Sequence, residues 1–177
     1  MSEHSIKAEL LTDVGYINLR GNSQDSAFTK AAEKALGQAL PVEPNTISVG
    51  QNRIVWLGPD EWLIVAPTAT TAKLLSGLSG AVAKQHAAVN DVSGGNIAVS
   101  LRGADTRKLF AKGCTLDFHP EVFGVGRCAQ TGLGKASVLI GLLDDAPSFE
   151  LIVRRSFSEY LVKWLQHAGR EYGIEFA

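Results

Sequence analysis

Two short runs recur in the same order along this chain, and they restrict its fold more than any other feature. Asn-Leu-Arg-Gly at 18–21 is answered by Ser-Leu-Arg-Gly at 100–103. Leu-Ile-Val at 63–65 is answered by Leu-Ile-Val at 151–153. The first run of each pair closes a strand-like stretch and precedes a helical one. The second run stands three residues before a hydroxyl side chain suited to start a helix, Thr68 or Ser156. Leu-Gly, at 57–58 and 133–134, falls in two hairpin-like segments. Matches of three or four residues are common singly. Their shared order predicts an α+β fold of two related halves, 1–93 and 94–177, packed intimately as one structural unit.

The periodicity fills in each half. Residues 14–20 alternate as a strand. Phe28, Ala31, Ala32, Ala35, Leu36, Ala39 and Leu40 then recur at helical spacing, with Ser23 or Asp25 as cap and Pro41 and Pro44 as the stop. Residues 53–57 and 62–66 form a hairpin around Gly-Pro-Asp-Glu, in which Pro59 presets φ at the second turn position. A helix capped by Thr68 or Thr70 carries Leu74, Leu75, Leu78 and Val82, and a strand follows at 87–92. Strand, helix, strand, strand, helix, strand is the ferredoxin-like split βαβ order. After Ser-Gly-Gly at 93–95 the order restarts. It runs through a strand at 97–101, a helix at 104–112, a hairpin at 127–132 and 136–142, a strand at 149–153 and a final helix capped by Ser156. The second half then lacks its closing strand, which is missing or supplied from elsewhere.

Charge excludes some partners. A net charge of −1, with basic residues singly or in pairs, gives no electrostatic case for nucleic acid or an anionic membrane surface. No window approaches the roughly 18 apolar residues of a membrane span. The first residues, Met-Ser-Glu-His-Ser-Ile-Lys, have no apolar core of a signal peptide. The chain is expected in the cytoplasm, where Cys114 and Cys128 suit a reducing compartment as free thiols.

Several motifs invite chemistry. Gly-Leu-Gly-Lys at 132–135 evokes a phosphate loop, but Ala136 replaces the required Ser or Thr and Ala129 stands where the first Gly belongs. The residues that follow favour a strand, so the stretch reads as a hairpin turn. Cys128 needs an activating charge to be a nucleophile, and alternation sends Arg127 to the opposite face. A buried structural thiol is the better reading. Cys114, Asp117, His119 and Cys128 lack paired metal-ligand spacing. Trp56 and Trp62 could stack a planar ligand, though packing is favoured. Asp60, Glu61 and Asp91 read as turn residues, and His4, His86 and His167 have no evident partners. The sequence thus assigns no catalytic, cofactor-binding or metal residue.

The segment 113–126 is different. Fourteen residues without periodicity are uncommon in a compact domain and are often functional. This one carries Leu116, Phe118, Val122, Phe123 and Val125, too apolar for a solvated loop. It folds back on its own core, or it packs on a partner through Leu116, Phe118, Val122 and Phe123. The sequence leaves both open.

Five blocks carry a resemblance: Trp-Leu-Gly-Pro-Asp-Glu-Trp-Leu at 56–63, Asp-Val-Ser-Gly-Gly at 91–95, Lys-Gly-Cys-Thr-Leu-Asp-Phe-His-Pro at 112–120, Gly-Arg-Cys-Ala-Gln-Thr at 126–131 with Leu-Gly-Lys-Ala at 133–136, and Arg-Ser-Phe at 155–157 with Tyr160-Leu161 and Trp164-Leu165. Together, across 53–172, they resemble the gamma subunit of heterotetrameric sarcosine oxidase. The first fifty residues carry little of it. The resemblance implies a fold like the folate-binding domain of glycine-cleavage aminomethyltransferases. It implies a subunit with no activity alone, in a complex that oxidatively demethylates sarcosine to glycine. That complex forms hydrogen peroxide and uses tetrahydrofolate as one-carbon acceptor. It implies alpha, beta and delta subunits as partners, with FAD, FMN, NAD and tetrahydrofolate on the other subunits and no cofactor in this chain. The competing readings are the small subunit of a related N-methyl amino-acid dehydrogenase and a stand-alone folate-binding module.

Overall fold

The computed structural model describes residues 5–177; His4 lies outside them. Eleven strands and four α-helices follow one another among the described residues. They are β1 (Ile6–Leu11), β2 (Val14–Gly21), α1 (Ser26–Leu36), β3 (Ile47–Val49), β4 (Arg53–Gly58), β5 (Glu61–Pro67), α2 (Thr68–Ala81), β6 (Ala87–Asp91), β7 (Asn96–Arg102), α3 (Thr106–Ala111), β8 (Cys128–Leu133), β9 (Ala136–Asp144), β10 (Ser148–Arg154), α4 (Ser158–Ala168) and β11 (Ile174–Phe176). They form two sheets, ordered β3-β4-β5-β2-β6 and β11-β1-β7-β10-β9-β8.

In the first sheet, β2, β4, β5 and β6 pair antiparallel in the order expected of a ferredoxin-like βαββαβ unit, with short β3 added outside β4. The second sheet repeats this plan. There β8, β9, β10, β7 and β1 take the places of β3, β4, β5, β2 and β6. The fold is therefore α+β with two related halves. The halves are not simple sequence segments. One unit is Asp13–Gly94, and the other joins Gly95–Ala177 to the residues up to Thr12.

The strand that closes the second sheet comes from the N-terminus. β1 pairs antiparallel with β7, Ala8 opposite Leu101, and parallel with β11, Ile6 opposite Ile174. The sequence boundary of 1–93 thus separates β1 from the unit it completes. Gly103 makes the junction possible. It has φ +130°, and a Cβ there would lie 1.8 Å from the Ser5 carbonyl oxygen. This close approach of two backbones gives the second Leu-Arg-Gly a physical reason for its glycine.

Each unit buries a core between its helices and one sheet face. In the first, Ile17, Leu19, Ile54, Trp62 and Ile64 meet Phe28, Ala32, Leu36 and Leu78. In the second, Val99, Leu101, Ile140, Phe149, Leu151 and Val153 meet Leu109, Phe110, Leu161 and Leu165. Residues on the opposite faces, such as Leu63, Val65, Ala98 and Ile152, are buried too. This is why 62–66 and 149–153 read as nearly continuous apolar runs.

Several ends differ from the sequence reading. Asp25 caps α1, its carboxylate accepting from the Ala27 N–H at 2.8 Å. The helix stops at Leu36, not at Pro41, because the chain turns left-handed at Gly37. Thr68 and Thr70 do not cap α2. Thr68 is its first residue and follows Pro67, while the Thr70 hydroxyl donates back to the Pro67 carbonyl at 3.0 Å. Ser156 lies within a 3₁₀ turn, Arg155–Phe157, ahead of α4. Strands β1, β3 and β11 went unread, the last two because three residues show no periodicity. The Leu-Gly pair is not a repeat in space. Gly58 ends β4, whereas Leu133 ends β8, the counterpart of β3.

Candidate functional site

Three of the five blocks meet in one place. α3 runs into Gly113, the β8–β9 hairpin turns at Gly134 and Lys135, and α4 lies across both. The Gly134 N–H donates to the Gly113 carbonyl at 2.9 Å. The Lys135 N–H donates to the Tyr160 hydroxyl oxygen at 2.9 Å. A Cβ at Gly113 would sit 2.3 Å from Trp164 Cζ2, and one at Gly134 would sit 2.6 Å from the Tyr160 hydroxyl. Gly134 also takes φ +60°, a left-handed turn conformation. Lys-Gly-Cys, Leu-Gly-Lys-Ala and the Tyr160–Trp164 face are thus one packed junction. Its glycines admit aromatic side chains to the backbone and do not cradle phosphate. Lys112 extends the junction. Its ammonium donates to the Ala168 carbonyl at 2.5 Å, pairs with Glu171 and lies 4.9 Å from the Tyr172 ring centre. A cation there favours the C-terminal end of α4.

The remaining blocks also fix turns. At Gly-Pro-Asp-Glu, Arg20 Nη2 lies 3.8 Å from both Asp60 and Glu61, and Asn18 donates to Glu61 at 2.8 Å. Trp62 is fully buried, packs on Phe28 and donates its indole N–H to the Pro41 carbonyl at 2.8 Å. Trp56 and Trp62 face each other across β4 and β5. At Asp-Val-Ser, the hydroxyl and backbone N–H of Ser93 hold the Asp91 carboxyl below its usual range, the N–H donating at 2.8 Å. Ser93 Oγ in turn accepts from the Tyr16 N–H at 2.9 Å.

Neither cysteine is placed as a nucleophile. Burial pushes the Cys128 thiol up to about 12, outweighing the charge of Arg127. Cys114 is buried too, with Sγ 3.4 Å from the Thr131 hydroxyl. Among the described residues no three His, Cys, Asp or Glu side chains cluster as metal ligands. Among them no helix is long and apolar enough to cross a membrane.

The 113–126 segment contains no helix or strand and is built of turns. Phe123 and Val122 N–H groups donate to the His119 carbonyl at 2.8 and 2.9 Å, and the His119 N–H donates to Asp117 at 2.8 Å. Its apolar residues divide. Phe118 and Phe123 are buried and join Phe110 and Phe149, with ring centres 4.9 to 6.4 Å apart. These two cannot serve as outward anchors, because their own unit's core already encloses them. Leu116, Val122 and Val125 remain exposed, Val122 at 57%.

Arg107, a residue the sequence reading passed over, holds this arrangement. It lies on α3, and its Nη1 donates to the carbonyls of Phe118 and of Phe123, the latter at 3.1 Å. Its guanidinium carbon lies 5.2 Å from the centre of the Phe149 ring. Desolvation lowers its pKa. The sequence offered only a basic residue six positions ahead of the loop, which is too common to notice.

Known proteins share this architecture. The family model described as "Sarcosine oxidase, gamma subunit family" matches residues 20–171. The chain is 33% identical over 163 residues to the sarcosine oxidase subunit gamma of Corynebacterium sp. (strain U-96), covering 91% of this chain and 76% of that one. It superposes with a TM-score of 0.89 and 29% identity on a chain of the heterotetrameric sarcosine oxidase from Corynebacterium sp. U-96 in complex with pyrrole 2-carboxylate, covering 98% of this chain and 88% of that chain. The glycine cleavage system aminomethyltransferase T from Bartonella henselae shares the fold, with a TM-score of 0.68 at 14% identity, over 99% of this chain and 48% of that one. The family match begins at residue 20, well before the region where the sequence blocks lie.

Proposed function

The chain belongs to the sarcosine oxidase gamma subunit family, and on that premise we propose that it is a non-catalytic structural subunit of a sarcosine oxidase complex. The observation that carries the non-catalytic reading is where the family blocks lie. Their glycines, aromatics and lysine fix a loop, a hairpin and a helix to one another. Both of their thiols, Cys114 and Cys128, are buried, and burial pushes that of Cys128 up to about 12. Oxidation of sarcosine, the flavins, NAD and tetrahydrofolate are assigned in this reading to the alpha, beta and delta subunits.

In this reading the partner surface is the outer side of the 113–126 loop, at Leu116 and Val122, with Val125 added to the residues named from the sequence; the exposure of all three supports it. Exposed aliphatic side chains on a loop anchored in the core lose little conformational entropy on docking. A lasting interface buries at least about 1,000 Å² in all, so this loop is its anchor and not its whole.

Affinity purification of the chain from its native cell tests the reading. Flavin-bearing larger chains are expected to co-purify, and the eluate is expected to form hydrogen peroxide on addition of sarcosine. A chain that elutes alone and binds tetrahydrofolate tightly and stoichiometrically in calorimetric titration would overturn it.

A further inference from the structure

The 113–126 loop has no helix or strand to define its shape. A loop of this kind presents a fixed surface only where something within the molecule holds its backbone. Two carbonyls, those of Phe118 and Phe123, bracket the turn closed on the His119 carbonyl, and one guanidinium donates to both. We infer that Arg107 is a positioning residue for subunit assembly: by bonding the carbonyls of Phe118 and Phe123 it sets the loop conformation in which Leu116, Val122 and Val125 face outward. This inference rests on the reading that the loop meets a partner subunit.

The geometry separates this role from general stability. Arg107 is on the short helix α3, whose Leu109 and Phe110 supply its buried face. The Arg107 side chain extends from the helix to the loop, with its guanidinium carbon 5.2 Å from the centre of the Phe149 ring. The two phenylalanines whose carbonyls it bonds point their rings into the aromatic cluster. Ring burial fixes the loop's inner side and the guanidinium fixes its backbone. Arg107 therefore ties the loop's own turn, in which Val122 and Phe123 donate to the His119 carbonyl, to helix α3. A lysine keeps a cationic donor at this position but lacks the planar guanidinium. A methionine keeps part of the apolar stem and no donor.

The full chain is co-expressed with its partner subunits as wild type, Arg107→Lys, Arg107→Met and Val122→Asp. Complex yield is measured together with amide hydrogen exchange of each full chain. Arg107→Met is expected to lower affinity for the complex about tenfold or more, equivalent to 1.4 kcal/mol per tenfold. Faster exchange is expected to be confined to 115–125. Arg107→Lys is expected to restore most of both. Undiminished assembly by Arg107→Met, while Val122→Asp blocks it, overturns the role of Arg107 and leaves the loop contact standing. Faster exchange throughout the β7–β10 sheet in Arg107→Met, with no rescue by lysine, also overturns it, since the residue then acts on the whole unit. Normal assembly by Val122→Asp overturns the loop contact itself, and the inference with it.

Discussion

Replacing Phe118 by alanine tests whether the apolar loop belongs to the core of its own unit. The ring is 5% exposed and touches three others, with centres 4.9, 5.0 and 6.3 Å away. Removing a buried phenylalanine ring costs roughly 3–5 kcal/mol, the lost transfer free energy plus the cavity left behind. Loss of aromatic contacts worth about 0.5–1.5 kcal/mol per pair places Phe118→Ala toward the upper end. Total stabilities are only about 5–15 kcal/mol, so the change is large. Urea unfolding of the full chain, followed by circular dichroism, measures it. Val122→Ala, four residues on and 57% exposed, is the internal control and is expected to stay within about 0.5 kcal/mol of wild type. A Phe118→Ala loss below about 1 kcal/mol, as at a surface position, would refute the reasoning. The loop would then lie on the core without belonging to it.

Three further outcomes are expected. Gly103→Ala places a Cβ against the Ser5 carbonyl, so β1 should detach from β7, seen as loss of hydrogen-exchange protection at 6–11 with protection retained in β4 and β5. Tyr160→Phe removes the acceptor for the Lys135 N–H and should cost about 0.5–1.5 kcal/mol in urea unfolding; a larger loss would mean the ring has moved. For Cys128, the folded thiol titrates near 12 against an ordinary 9.0. Its stabilising contribution is complete below the lower value and is lost as pH rises toward the upper one, because the unfolded chain gives up its proton first. Stability of wild type should therefore fall more steeply above pH 9 than that of Cys128→Ala, by at most about 1.4 kcal/mol per pH unit; parallel profiles would contradict the burial argument.

The sequence was legible where periodicity was long. Residues 14–20, 53–57, 62–66 and 136–142 alternate or run apolar and become strands, and Gly-Pro-Asp-Glu makes the turn its residues dictate. The repeated Leu-Arg-Gly falls at the ends of β2 and β7, which hold equivalent positions in the two sheets. What escaped was non-local. Nothing within 6–11 announces that it will pair with residues 98–102. An apolar loop has no period by which to tell Phe118, turned inward, from Val122, turned outward. Arg107 acts through two carbonyls, and carbonyls have no signature in a sequence.

The N-terminal strand has a consequence for how the chain is made. β1 leaves the ribosome before the strand it pairs with, and β7 follows roughly 90 residues later, about 5 to 18 s at ordinary synthesis rates. The unit formed by 13–94 is continuous and can fold in that interval. Throughout it β1 waits with both backbone edges open. Lys7 and Glu9 alternate with Ile6 and Ala8 along it, and charges placed so discourage pairing with a neighbouring nascent chain. Neutralising both should leave the finished molecule folded but lower its yield during synthesis.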